Sequence, residues 1–408
     1  MRTLVTRCGT VAIVLAGLGV ATSATAQDKV VKIGVLNDMS SLYADIGGPN
    51  SVVAAKMAVE DSGLLAKGWK IDVVGGDHQN KPDGGVNVAR QWVDVDKVDM
   101  ITDTPNSGVA LAVSNLVREK NIIMLNSGAA TADLTGKACS PNTLSFTYDT
   151  YMLANGTSKA LTKAGGDTWF FLTADYAFGH AMERDATAVI TANGGKVLGG
   201  VKHPINTADF SSFLLQAQAS KAKVIGLANA GGDTTNAIKQ AAEFGIVSGG
   251  QKLAALLLFI NDVHALGLKT AHGLNFTESF YWDLNDKTRA WSKRFSEKAS
   301  KNARPSMTQA GVYAAVRHYL KVLEAMGGNP HDGAKVVAKM KATVAEDDLF
   351  GKSEIRADGR RMVPAYLFEV KKPEESKGPW DYYKLIATLD PKDVAVPLDK
   401  NPCPLLKK

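Results

Sequence analysis

The strongest constraint on this chain is a rhythm. Short β-branched apolar runs alternate with helical stretches, and the series runs through twice. Strand-like runs fall at residues 30–36, 70–75, 100–102 and 122–126, with helical patterns at 52–65, 84–94 and 108–119 between them. In the last helix Val109, Ala110, Val113, Leu116 and Val117 repeat at the spacing of one helical face. A second series has strands at 168–173, 196–201, 224–228 and 253–259, and helices at 178–192, 210–219, 234–244 and 263–268. Strands that return through a helix pair in parallel by right-handed crossovers, so the expected class is α/β with parallel sheets. A chain of 408 residues exceeds what one core usually holds, and two α/β lobes are expected.

In such sheets ligands settle beyond the carboxyl ends of the strands, where loops meet helix N-termini. The first strand runs into a polar loop with Ser40, Ser41, Tyr43 and Asp45, closed by Gly47-Gly48-Pro49. Ser51 reads as the cap of the following helix. Asn106 and Ser107 stand ahead of the helix at 108–119, where hydroxyl, amide and backbone N–H groups suit a carboxylate. A plain helix cap is the other reading of Ser107. Ser127, Gly128 and Ala129 follow the strand at 122–126, either as ligand contacts or as an ordinary turn. In the second series Tyr176, Asn229 and Asn261 stand after strands, and Tyr148 lies where the first series ends. The densest aromatic cluster, Phe280-Tyr281-Trp282, reads as a ligand wall or as packing between lobes.

Motifs for catalysis or nucleic-acid binding are missing. The seven histidines are dispersed with no HExxH pair, and no CxxC occurs. Gly351-Lys352-Ser353 lacks the upstream glycine of a P-loop, since Glu346 stands there. Leu125 occupies the place where a nucleophile elbow at Ser127 needs glycine. Lysine and arginine are scattered, without the basic stripe of a nucleic-acid binder. Asp347-Asp348 and Arg360-Arg361 read as solvated surface. A non-enzyme that needs no cofactor and no metal is expected.

Residues 1–26 read as a secretory leader, with Arg2 and Arg7 before an apolar run at 11–20 and Ala24-Thr25-Ala26 as the cleavage site. Removing Arg2 and Arg7 takes the formal charge from +6 to +4. Cys8 leaves with the leader, so Cys139 and Cys403 remain in an oxidising compartment. They are expected to form one disulfide; a pair of free thiols is the alternative.

Ile33-Gly34-Val35-Leu36, Asp38-Met39-Ser40-Ser41 and Tyr43-x-Asp45-x-Gly47-Gly48-Pro49, with Asp175-Tyr176-x-x-Gly179 later, resemble the periplasmic substrate-binding proteins of ABC importers. The nearest branch is the one containing the branched-chain amino-acid-binding proteins, with segments similar to its aromatic-acid-binding members. The resemblance implies a periplasmic, monomeric protein of the periplasmic-binding-protein type I fold: two Rossmann-like lobes on a three-segment hinge. It implies a first lobe of residues 27–147 and 280–347 and a second of 148–279 and 348–408, with a hairpin around Asp358-Gly359 returning the chain to the second lobe. The implied ligand is a branched-chain or aromatic amino acid, an aromatic acid or a fatty acid, passed to an inner-membrane permease. Tyr43, Asn106, Ser107, Ser127, Gly128, Ala129, Tyr148, Tyr176, Asn229, Asn261 and Phe280 are the implied ligand set. Asn261 or Asp262 stands nearest the position where an acidic residue would pair with an amine: Asn261 facing the ligand implies amine-free acids, and Asp262 facing it implies amino acids. A sensory protein presenting the solute to a receptor, or a periplasmic hydrolase, are the other readings.

Overall fold

The computed structural model describes residues 29–406 and residues 3 and 4, so the leader expected at 1–26 otherwise lies outside the described residues. Among the described residues no helix is long and apolar enough to cross a membrane.

Two parallel sheets carry the fold. The first contains β1 (Val30–Asn37), β2 (Lys70–Asp77), β3 (Met100–Asp103), β4 (Ile123–Asn126) and β5 (Thr143–Ser145) in the order β2-β1-β3-β4-β5. Its central strands are buried on both faces by helices, as their continuous apolar runs require. The second sheet has β6 (Thr168–Ala174), β7 (Lys196–His203), β8 (Val224–Ala228), β9 (Lys252–Ala255) and β10 (Asn275–Glu278). Chain reversals add β13 (Ala365–Val370) and β14 (Tyr383–Leu389), giving the order β14-β13-β10-β9-β8-β6-β7. β13 is antiparallel to both β10 and β14. The intervening β11 (Ala345–Asp347) and β12 (Gly351–Ser353) form a separate two-stranded sheet. The helices Asp286–Lys298 and Met307–Ala325 return to the first lobe, where Arg294 bonds Asp61 and Ser306 Oγ donates to the Ile46 carbonyl.

Several expectations need correcting. The helix after the first loop begins at Gly48, because Pro49 suits a first turn, and Ser51 lies inside it. Ser51 Oγ instead accepts from Asn37 Nδ2 at 3.2 Å. The turn at Asp358-Gly359 forms, with Arg356 N–H donating to the Arg360 carbonyl. However, β12 pairs with β11 rather than with β13. Gly359 and Arg361 hydrogen-bond Ser145 at the end of β5, so this segment lies against the first lobe, and the chain reaches the second sheet only at β13. The tail after β14 also returns to the first lobe, where Val394 joins the main core and Cys403 is bonded to Cys139.

Arg360 and Arg361 are not solvated. Both are buried, Arg360 paired with Asp149 and Arg361 with Asp347. Arg361 also lies 5.5 Å from the Phe146 ring and 5.2 Å from the Phe350 ring. A planar, weakly hydrated guanidinium tolerates such a site where its charge is paired and its faces meet aromatic rings.

Candidate functional site

The carboxyl ends of both sheets meet across a narrow space of about 10 Å³, close to the room one water needs. Tyr43, Ile46, Pro105, Gly128 and Ala130 bound it from the first lobe, and Tyr176, Phe178, Ala230, Leu257 and Phe259 from the second. Tyr148, just past the first crossing, completes the wall.

Each wall residue is held by a local device. Asp38, buried at the end of β1, accepts from Ser41 N–H, Ser41 Oγ and Tyr43 N–H at 2.7–2.8 Å, and from Asn80 Nδ2 at 2.7 Å. That fixes the loop which aims Tyr43 across the cleft. The Tyr43 and Tyr176 hydroxyls meet at 2.5 Å, one from each lobe. Burial pushes both phenolic pKa values up, helped at Tyr43 by the Tyr176 phenol and opposed at Tyr176 by the hydrogen bond from Tyr43, so the pair stays neutral and can share hydrogen bonds. Gly231, at φ +57°, lies against the same loop: a Cβ there would stand 2.9 Å from the Leu42 carbonyl and from the Tyr43 ring. Only glycine permits that approach.

Gly128 follows β4, with its N–H on the Asp103 carbonyl (3.3 Å) and its own carbonyl accepting the Tyr148 hydroxyl (2.5 Å). Tyr148 sits edge-on to Phe259, with ring centroids 6.2 Å apart. Ser127 Oγ donates to Asp103 Oδ1 at 3.3 Å. Asp103 is fully buried, and burial pushes its carboxyl up to about 7.

Of the residues expected from the sequence, Tyr43, Gly128, Tyr148 and Tyr176 line the cavity. Five others lie behind the walls, one residue or one hydrogen bond away. Asn106, rather than Ser107, caps the helix Ser107–Lys120, accepting from Gly108 and Val109 N–H at 2.9 and 3.1 Å. Ser107 Oγ accepts from Thr131 N–H. Ser127 is on Asp103, and Ala129 exchanges two hydrogen bonds with the Asn126 side chain. Asn229 is buried between His203 and Thr234. The remaining two are elsewhere. Asn261 stands in the first turn of the helix Ile260–Leu266 with its side-chain oxygen buried and unpartnered. Phe280 packs edge-on to Trp291 and against Phe350.

Sequence reading missed Ile46, Pro105, Ala130, Phe178, Ala230, Leu257 and Phe259 as wall residues. The signal was present for three of them: Pro105, Ala130 and Ala230 directly adjoin residues that were singled out. Apolar residues at strand ends otherwise look the same whether they face a core or a cavity.

Two buried acids belong to the second lobe. Asp262 accepts from Phe259 N–H at 2.9 Å, and burial pushes its carboxyl up to about 7. Glu278 accepts the Tyr383 hydroxyl at 3.0 Å, and burial holds it well above the usual carboxylate range. No lysine or arginine stands among the lining residues. The site is therefore an apolar, aromatic slot with backbone polar groups at Gly128, shut by a tyrosine from each lobe.

Known proteins share this architecture. A structure of a periplasmic binding protein from Burkholderia mallei is 49% identical and superposes with a TM-score of 0.89, over 93% of this chain and all of that one. A branched-chain amino acid ABC transporter periplasmic ligand-binding protein from Burkholderia xenovorans is 39% identical, with a TM-score of 0.81, over 92% of this chain and 99% of its own. A Leu/Ile/Val-binding protein homolog of Brucella melitensis is 26% identical across 88% of this chain and 92% of its own length. The periplasmic binding protein family model matches residues 30–378. With parallel sheets in two lobes and a cleft lined from both, the chain belongs to the periplasmic binding protein family.

Proposed function

We propose that this protein captures a small carboxylate with an aromatic or branched apolar body between its lobes and delivers it to an ABC permease. The observation that carries the reading is the wall itself: Ile46, Pro105, Tyr148, Phe178, Leu257 and Phe259 surround Gly128, with tyrosines meeting above it. Such a lining buries an apolar body well, and the hydroxyls of Tyr43 and Tyr176 orient the polar end. The carboxylate lies at the first lobe, near the turn at Ser127–Gly128 and the helix N-terminus behind it. One oxygen each of Asp262 and Glu278 accepts a hydrogen bond within the second lobe, and burial pushes both acids toward the neutral form, which favours an acid without an amine.

The mechanism is hinge closure. An open form admits the acid to the first lobe, and the second lobe then brings Tyr176 and Phe178 across. Ligand selects the closed form by the contacts that only that form makes. The hinge segments are the links around residues 147–149 and 276–279 and the stretch between Arg361 and β13. Residues 1–26 act as a cleavable leader, and the exported protein works as a monomer.

A thermal-shift panel of residues 27–408, stripped of ligand by unfolding and refolding, tests the reading. Benzoate, 4-hydroxybenzoate, phenylalanine, leucine and octanoate cover the candidates. A ligand at a thousandfold excess over Kd stabilises by about 4 kcal/mol, so a true ligand raises Tm by several degrees. Benzoates stand at the top of the expected order, with leucine below. No shift with any of the five would overturn the ligand class.

A further inference from the structure

Asp103 is held in a conformation that few residues adopt. It ends the central strand β3 at φ +81°, and Thr104 follows at φ +57°. Two consecutive left-handed non-glycine residues, one β-branched, persist only where the surroundings over-determine them. Here Thr104 N–H is on the Leu36 carbonyl (2.8 Å), Gly128 N–H is on the Asp103 carbonyl, and the Asp103 carboxyl bonds Asn37 Nδ2 and Ser127 Oγ. The sharp turn places Pro105 on the cavity wall and sets the carboxyl directly beneath Gly128. A Cβ on Gly128 would stand 2.6 Å from Asp103 Oδ1.

Every group facing this carboxyl is neutral. Asn37 comes from β1, Ser51 from the helix Gly48–Ser62, Ser127 from the turn after β4, and Tyr148 from the first crossing. No lysine, arginine or histidine reaches it among these partners. With no cation among these partners, burial outweighs the hydrogen bonds from Asn37, Ser51 and Ser127, and the carboxyl holds its proton.

The geometry points to Asp103 as the proton-bearing floor of the binding site, so that capture of an anionic acid above Gly128 takes up one proton. This inference rests on the ligand being a carboxylate seated at the first lobe. An ionised Asp103 would repel that carboxylate across Gly128, whereas a protonated one does not. Below pH 7 the proton is already in place and affinity is flat. Above it, free protein must regain the proton, so Kd rises toward tenfold per pH unit until the complex itself ionises. Asp262 and Asp233 of the second lobe are also raised toward neutrality by burial, so the proton has to be assigned by substitution.

Calorimetry with benzoate and leucine, in paired buffers of different ionisation enthalpy at pH 6 and pH 8.5, reads both Kd and proton uptake. Wild type is expected to bind roughly ten- to thirtyfold more weakly at pH 8.5, with uptake rising from near zero toward one proton. Asp103→Asn keeps a neutral side chain in a residue type that accepts left-handed φ. It is expected to bind with one Kd at both pH values and with no uptake. Asp262→Asn is expected to keep the wild-type uptake. Binding without uptake, uptake that survives in Asp103→Asn, or uptake abolished in Asp262→Asn would each overturn the role of Asp103 while leaving the ligand class standing. Failure of both acids to bind at either pH would remove both.

Discussion

Replacing Cys139 with serine is expected to lower the stability of the mature protein by about 4–5 kcal/mol, read as a drop in the denaturant midpoint with a steeper slope, because the unfolded chain without the cross-link exposes more surface. The bridge to Cys403 closes a loop with a sequence separation of 264, and the entropy that such a link removes from the unfolded chain grows with loop length. The tail it holds is not a loose end. Asn401 Nδ2 donates to the Thr135 carbonyl (3.1 Å) and to Asp358 Oδ2 (2.8 Å), and Arg356 Nη1 donates to the Val396 carbonyl (2.9 Å). The tail therefore straps the last strand of the second sheet back onto the first lobe. Cys403→Ser should cost as much as Cys139→Ser, and the double substitution no more than either. A loss under about 1 kcal/mol would mean that those hydrogen bonds alone hold the tail, or that the unfolded chain is already compact.

Arg360→Ala is expected to cost about 3–5 kcal/mol, the usual penalty for leaving one member of a buried ion pair behind. The pair joins two crossings. Asp149 caps the short helix Thr150–Leu153 just after the first crossing, accepting from Met152 N–H at 2.8 Å, and Arg360 belongs to the segment that leads into the third. Their side chains are 4% and 3% exposed, so water cannot replace the lost partner. Burial already pushes the Asp149 carboxyl up, against the pull of Arg360. Once the guanidinium is gone the acid protonates more readily, and the destabilisation should shrink as pH falls from 8 to 5. Asp149→Leu combined with Arg360→Met should restore most of the loss. A single substitution that costs under 1 kcal/mol at pH 8 would show that the pair does not fasten the hinge.

The main frame was legible because periodicity is a strong signal. Strand and helix alternate twice, and the helix read at 108–119 spans Ser107–Lys120. The loop after β1 was legible as a site wall for the same reason, since polar residues and glycines crowd a strand end. Charge misled at Arg360-Arg361, because a sequence shows no partner and unpaired arginines belong in water. Asp149 and Asp347, 211 and 14 residues away, supply the partners. β14 gave little pattern because it is an edge strand with Leu385 and Ile386 exposed. The course of the tail was half legible: the cysteine pairing could be read from the compartment, but not which lobe it would reach. Asn106, Ser107 and Asn229 were found at the correct strand ends, yet their side chains serve the helix caps and turns that build the wall.

Hydrogen–deuterium exchange with and without a saturating acid tests the central claim, that ligand is enclosed between the lobes. Slower amide exchange is expected at three separate segments: residues 38–48 of the first lobe, and 174–180 and 229–232 of the second. Tyr176→Ala should weaken binding about tenfold or more and lose the second-lobe protection while keeping that of residues 38–48. Protection confined to one lobe, or unchanged by Tyr176→Ala, would contradict capture by closure.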